Sequence, residues 1–217
     1  MKKMLIYGDS LSTGTHGEGA YLETLRKELK IEKIENYAVG SSGLAAITPN
    51  SMMQILEQHD IKEAVNADAV FIWHGTNDWY WGTEIGQPED VIKDTFYGAI
   101  YHAVTEVRRR NPKALLVWAT PIFRLERPDQ GKICADAAKV KNKTGYTQID
   151  YTVALRTAAD LYHFPLIEMG RLIGIHEGNA TMYLEDSVHP NVLGYRIIEN
   201  VLIDHLKKYR VWNNIEI

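Results

Sequence analysis

Apolar residues along the chain fall into short unbroken runs, separated by longer stretches in which they recur every three or four positions. Met4–Tyr7 is the first run; it stops at Gly8 and reads as a buried strand. Tyr21–Lys30 sets Leu22, Leu25 and Leu29 at helical spacing. Lys33–Val39 reads as a second strand, and Ser51–His59, with Met52, Ile55 and Leu56, as a short helix. Ala69–Trp73 (AVFIW) is continuously apolar, as a strand covered on both faces should be. A long helix is expected next, with Pro88 near its start. Its stripe is Val91, Ile92, Thr95, Phe96, Ala99, Ile100, Ala103, Val104 and Val107, and Asn111-Pro112 ends it. Ala114–Ala119 is a fourth strand. Gly145–Tyr162 reads as a helix carrying Val153, Leu155, Ala158, Ala159 and Leu161, and Pro165–Glu168 as a short fifth strand. Asn191–Tyr209 closes the chain as a helix, with Pro190 at its first turn. Pro121–Thr144 has no period and holds Arg124, Arg127, Lys132, Lys139, Lys141 and Lys143, which reads as a long solvated loop.

Strand and helix thus alternate about five times. That order predicts an α/β fold with a mostly parallel five-stranded sheet and helices on both faces. No repeat, low-complexity segment or linker divides residues 1–217, so one domain is expected. A chain of 217 residues with 45% hydrophobic content can bury a core without staples. A net charge of −4 offers nothing to a polyphosphate, so nucleic acid is not an expected partner. The basic triplet Arg108–Arg110 sits where cations complement a helix C-terminus. The single cysteine, Cys134, can form neither an internal disulfide nor a cysteine metal cluster. No stretch approaches the roughly 18 to 20 apolar residues of a membrane span, and MKKMLIYGDS reads as a first strand rather than a leader. A cytoplasmic location is the expectation.

Ligands of such folds bind beyond the carboxyl ends of the strands, and four segments at those places carry reactive residue types. The first strand ends in Gly8-Asp9-Ser10-Leu11-Ser12, the second in Asn36-Tyr37-Ala38-Val39-Gly40-Ser41-Ser42-Gly43, and the third in His74-Gly75-Thr76-Asn77-Asp78. Asp186-Ser187-Val188-His189-Pro190 precedes the last helix. A serine hydroxyl becomes a competent nucleophile when a base removes its proton, and a histidine oriented by a carboxylate does this near neutral pH. Asp186 and His189 stand three residues apart, and Pro190 biases His189 toward an extended backbone. The oxyanion of acyl transfer needs preorganised donors. Backbone N–H groups near Ser10 and Gly40 and the amide of Asn77 are the candidates. Each segment alone is weak, since Gly-Asp-Ser also caps helices and Asp and Pro are common in turns. All four in this order are specific.

Together they resemble the blocks of the SGNH hydrolases, or GDSL-type esterases and lipases, over most of the chain. The resemblance implies a flavodoxin-like three-layer α/β/α fold and metal-free, cofactor-free ester hydrolysis. It makes Ser10 the nucleophile, His189 the general base, Asp186 its orienting acid and Asn77 the oxyanion amide, with the N–H of Ser10 a further oxyanion donor. The family usually has glycine at the second oxyanion position, which falls here on Ser41, between Gly40 and Gly43. The donor there is the N–H of Gly40 or of Ser41.

Asp9, Trp79, Tyr80 and Trp81 are candidate substrate contacts, the three aromatics as a loop stacking on a sugar or lining an acyl pocket. They compete with packing on the core. His16 and His74 also fall near the site and carry no assigned chemistry. With no long apolar lid in the sequence, the expected substrates are small: short acyl or acetyl esters, carbohydrate esters among them. Thioester or lysophospholipid-type acyl hydrolysis is the alternative, as is a non-catalytic ligand-binding module on the same scaffold. A phosphate-binding loop is disfavoured, because GDSLSTG is neither GxGxxG nor closed by GK[ST]. The histidines also lack the HExxH spacing of a metal hydrolase.

Overall fold

Five strands build one sheet in the computed structural model, which describes residues 1–58, 66–125 and 135–213, the last four by backbone alone. They are β1 (Lys3–Gly8), β2 (Lys33–Asn36), β3 (Ala69–Trp73), β4 (Leu115–Ala119) and β5 (Leu166–Ile167). The order is β2-β1-β3-β4-β5, and every neighbouring pair is parallel. The helices are α1 (Leu22–Glu28), α2 (Met52–Gln58), α3 (Thr76–Trp81), α4 (Phe96–Arg110), α5 (Gln148–Tyr162), α6 (Met169–Leu172), α7 (Ala180–Tyr183) and α8 (Val192–Asn213). Cys134, Arg127 and Lys132 lie outside the described residues.

The sheet is a septum between two cores. Leu5 and Tyr7 of β1, Val70 and Ile72 of β3, and Leu116 and Trp118 of β4 face α2, α4 and α5. Met4, Ile6, Ala69, Phe71, Trp73, Val117 and Ala119 face the other way, onto α1 and α8. Alternate side chains leave a strand on opposite faces, so a strand covered on both must be apolar throughout. β3 meets that condition at all five positions, which is why its boundaries are those expected from the sequence. This is the three-layer α/β/α, flavodoxin-like arrangement, with a sheet that is wholly parallel.

The helix starts differ from expectation for local reasons. α4 begins at Phe96, not near Pro88, because Thr95 caps it, its Oγ accepting from Gly98 N–H at 3.2 Å. The chain before it turns at Gln87–Asp90 and lies across Gly98, leaving Val91 and Ile92 exposed. α5 begins at Gln148 rather than Gly145, behind a Thr147–Asp150 capping box. It buries Tyr151, Ala154, Leu155, Ala158 and Ala159, while Val153 and Leu161 face out. The three aromatics expected in a loop, Trp79, Tyr80 and Trp81, lie in α3 instead, stopped by Gly82 in the left-handed region (φ 67°).

The chain leaves β1 toward β2 on one side and returns to β3 on the other. Loops from the ends of β1, β2 and β3 therefore diverge around one crevice, the switch point at which such sheets bind ligands.

Candidate active site

Gly8 ends β1 where a Cβ would come within 2.7 Å of Ser12 Oγ and 3.3 Å of Trp73 O. Only glycine lets the chain fold into the single 3-10 turn Ser10–Ser12 at that point. Asp9 caps this turn, its Oδ1 accepting from Leu11 N–H at 3.0 Å. Ser10 is thereby presented, half-buried, at the mouth of the crevice.

Its partners come from the loop before α8. That loop is closed by an antiparallel bridge between Leu184 and Pro190, and Ser187 O accepts from Leu125 N–H at 2.7 Å. His189 Nε2 lies 2.9 Å from Ser10 Oγ, and His189 Nδ1 lies 2.7 Å from Asp186 Oδ2. The two partners fix the tautomer: Nδ1 carries the proton toward the carboxylate, and Nε2 accepts from the serine. Asp186 Oδ1 also accepts from the backbone N–H of Val188 and of His189, each at 2.7 Å. Partial burial raises the carboxyl's pKa, but the bonds from His189 and Val188 outweigh it and hold Asp186 below the usual carboxylate range.

Across the crevice, α3 carries Asn77. Its Nδ2 donates to Ser42 O at 2.9 Å, and its Oδ1 faces Arg124 Nη1 at 3.4 Å. A carbonyl on one side and a guanidinium on the other leave one orientation for the amide, and Asn77 lines the crevice. The loop after β2 is pinned from several directions. Val39 N–H donates to Gly8 O, Trp81 Nε1 donates to Ser41 O, and Asp78 accepts from Leu44 and Ala45 N–H at 2.8 and 3.0 Å. Ser41 sits in the left-handed region (φ 61°), the conformation a glycine would take without strain. Ser41 lines the crevice, and Gly40 is not among its walls.

The crevice has a volume of about 480 Å³, with Tyr80, Trp81, Arg124 and Leu125 forming the wall beside Asn77. Two of the expected substrate contacts are corrected. Trp79 is fully buried, its Nε1 donating to Val140 O at 3.2 Å, and Asp9 is buried beneath the serine turn. Neither offers a surface to a ligand.

The sequence profile of the GDSL-like lipase/acylhydrolase family matches residues 6–197. The chain belongs to this family. Among solved structures it is similar to a protein from Lactobacillus plantarum (25% identity, 95% of this chain and 97% of that one, TM-score 0.81). It also matches a possible lipase from Chitinophaga pinensis (20%, 96% and 99%, TM-score 0.74). A lipase/acylhydrolase from Enterococcus faecalis shares the fold at 16% identity (96% and 97%, TM-score 0.65). No curated protein matches the chain by sequence. The GDSL-like family assignment makes the protein a hydrolase of ester bonds.

In this GDSL-like enzyme two residues, Arg124 and Asp78, take parts that the sequence did not disclose. Arg124, expected in a solvated loop, is buried; it stacks on Trp79 and Tyr80 at 5.5 and 5.3 Å and donates to Thr76 Oγ1 at 3.0 Å. Burial pulls its pKa down to about 10, against the attraction of Asp9, Tyr80 and Asp186, so it stays charged. Asp78 is buried beneath the loop it organises, which pushes its carboxyl up to about 6. His74 is buried behind the site, and burial holds it neutral, down to about 3. Among the described residues, no three His, Cys, Asp or Glu side chains gather to hold a metal, and no helix is long and apolar enough to cross a membrane.

Proposed function

We propose that the protein is a serine esterase working through an acyl-enzyme on Ser10. The observation that supports it is the unbroken relay from Ser10 Oγ to His189 Nε2 and from His189 Nδ1 to Asp186, at 2.9 and 2.7 Å. As Ser10 Oγ attacks the ester carbonyl carbon, its proton passes to His189 Nε2, and Asp186 stabilises the imidazolium that forms. The carbonyl oxygen becomes an oxyanion held by the N–H groups of Ser10 and Ser41 and by the free N–H of Asn77 Nδ2. His189 returns the proton to the departing alkoxide. Water then repeats the sequence on the acyl-enzyme, releasing the acid and restoring Ser10. Ser41 is favoured over Gly40 as the donor because it lines the crevice.

The substrate we propose is a short acyl or acetyl ester, with a sugar alcohol portion the first candidate. Support comes from a crevice of about 480 Å³ walled by Tyr80 and Trp81, flat amphipathic rings beside a buried guanidinium. Residues 1–217 are read as a single domain, supported by α8 returning to pack with α1 on the sheet that begins at β1. The test is hydrolysis of p-nitrophenyl acetate, butyrate and octanoate by the wild type and by Ser10→Ala, with EDTA present. Wild-type turnover that survives the chelator, falls by several orders of magnitude in the variant, and is fastest on acetate is expected. Equal rates in the two proteins would overturn the serine mechanism, and a preference for octanoate would overturn the short-acyl reading.

A further inference from the structure

The general base of this site is not held by its two hydrogen bonds alone. Those bonds grip His189 at opposite ends of the imidazole and leave the ring free to rock about the line joining them. The dyad also stands at the surface: Asp186 is about half exposed, at 51% of its side-chain area. One face of the His189 ring is covered, however. The imidazole of His16 lies flat on it, with centroids 3.8 Å apart and planes within 7°.

His16 is itself fixed. Its Nδ1 is bonded to Glu185 Oε1, and Glu185 Oε2 accepts from Gly17 N–H at 3.4 Å. Its carbonyl accepts from the N–H groups of Gly19 and Ala20. Gly17 takes a positive φ (54°), and a Cβ there would run into the ring of Tyr195 on α8. The Tyr195 hydroxyl in turn donates to Leu11 O at 3.0 Å. The His16 ring therefore rides on the segment that carries the nucleophile, six positions beyond Ser10. Its carboxylate partner rides on the loop that carries the base, one position before Asp186.

We propose that His16, held by Glu185, is a positioning residue of the active site. It joins the Ser10 segment to the Asp186–His189 loop and sets the plane of the His189 imidazole, so that Nε2 stays aligned with Ser10 Oγ through the proton transfers. The proposal rests on the serine-esterase reading for its effect on turnover, but the clamp itself exists whatever the substrate. Loss of the covering ring lets the base tilt and admits water against its face. A displacement on that scale costs reaction rate without changing how the ground-state ester is bound.

The experiment compares wild type, His16→Ala, His16→Phe and Glu185→Gln. It measures kcat and KM on p-nitrophenyl acetate, the rate at which a fluorophosphonate labels Ser10, the downfield imidazole N–H resonance of His189, and the unfolding midpoint. His16→Ala is expected to lower kcat and the labelling rate together by roughly 10- to 100-fold, with KM within about 2-fold. His16→Phe, which restores a flat ring, should recover most of the loss, and Glu185→Gln should fall between. A folded His16→Ala protein with kcat and labelling within about 2-fold of wild type overturns the proposal. If His16→Ala fails to fold, His16→Gln takes its place under the same criteria. If the wild type neither hydrolyses an ester nor takes the label, the esterase reading fails separately. The resonance then judges the clamp: sharp in wild type and lost in His16→Ala supports it, and unchanged between the two refutes it.

Discussion

Replacing Asp9 by Asn should make the protein more stable at neutral and alkaline pH, although Asp9 belongs to the Gly-Asp-Ser segment. Asp9 is buried, with Leu11 N–H donating to its Oδ1 at 3.0 Å. Burial pushes its carboxyl from 3.8 up to about 7, even with Leu11 N–H and Arg124 favouring the anion. The folded chain therefore holds this proton to a higher pH than the unfolded chain does. Between about pH 4 and pH 7 the folded state binds more protons, so stability falls as pH rises. Above pH 7 the full penalty applies, on the order of 4 kcal/mol at about 1.4 kcal/mol for each tenfold change in the acid equilibrium. Asparagine keeps an acceptor for Leu11 N–H, caps a helical turn as well as aspartate does, and cannot ionise. At pH 8 the Asp9→Asn protein should unfold roughly 10 °C above the wild type, given about 2–4 °C per kcal/mol at this size. At pH 4 the two should coincide. Between pH 4 and 6 two other buried groups act in both proteins and oppose one another: Asp78, pushed up to about 6, loses stability as pH rises, and His74, pulled down to about 3, gains it, so the difference between the two proteins isolates Asp9. Thermal or urea unfolding from pH 4 to 9 reads this directly. Parallel curves for the two proteins across that range would refute the argument that burial, rather than Arg124, governs Asp9.

Two further substitutions probe the oxyanion side. Asn77→Ala should lower kcat by about 10²- to 10³-fold, as for other oxyanion amides, with a smaller effect on KM; a loss confined to KM would place Asn77 in ground-state binding instead. Ser41→Gly relieves a non-glycine residue at φ 61° and leaves its N–H in place. It should raise unfolding stability by up to about 1 kcal/mol with kcat within about 2-fold, measured by urea titration and ester hydrolysis. A large loss of activity would instead assign a role to the Ser41 side chain.

The readable part of this protein is the part governed by local spacing. β3 shows in the sequence because burial on both faces demands five apolar residues in a row. Asp186 and His189 meet because three residues and a following proline suffice to set two side chains together. Ser10, Asn77 and the loop after β2 could be placed because a parallel sheet sends the ends of its strands to one edge. What the pattern does not carry is direction. Trp79, Tyr80 and Trp81 look alike as a triplet, but α3 turns successive residues by 100°, so Trp79 enters the core while the other two line the crevice. Arg124 looks like one more loop cation until the aromatic faces of Trp79 and Tyr80 take it out of water. Asp9, a candidate substrate contact by sequence, and Asp78 are each buried by chain from another part of the sequence. His16 meets His189 across more than 170 residues, through a carboxylate on the second loop. Periodicity and short motifs report contacts within a turn or a strand. Which side chain faces solvent, core or substrate is set by the segments that pack against it, and only the folded chain brings those together.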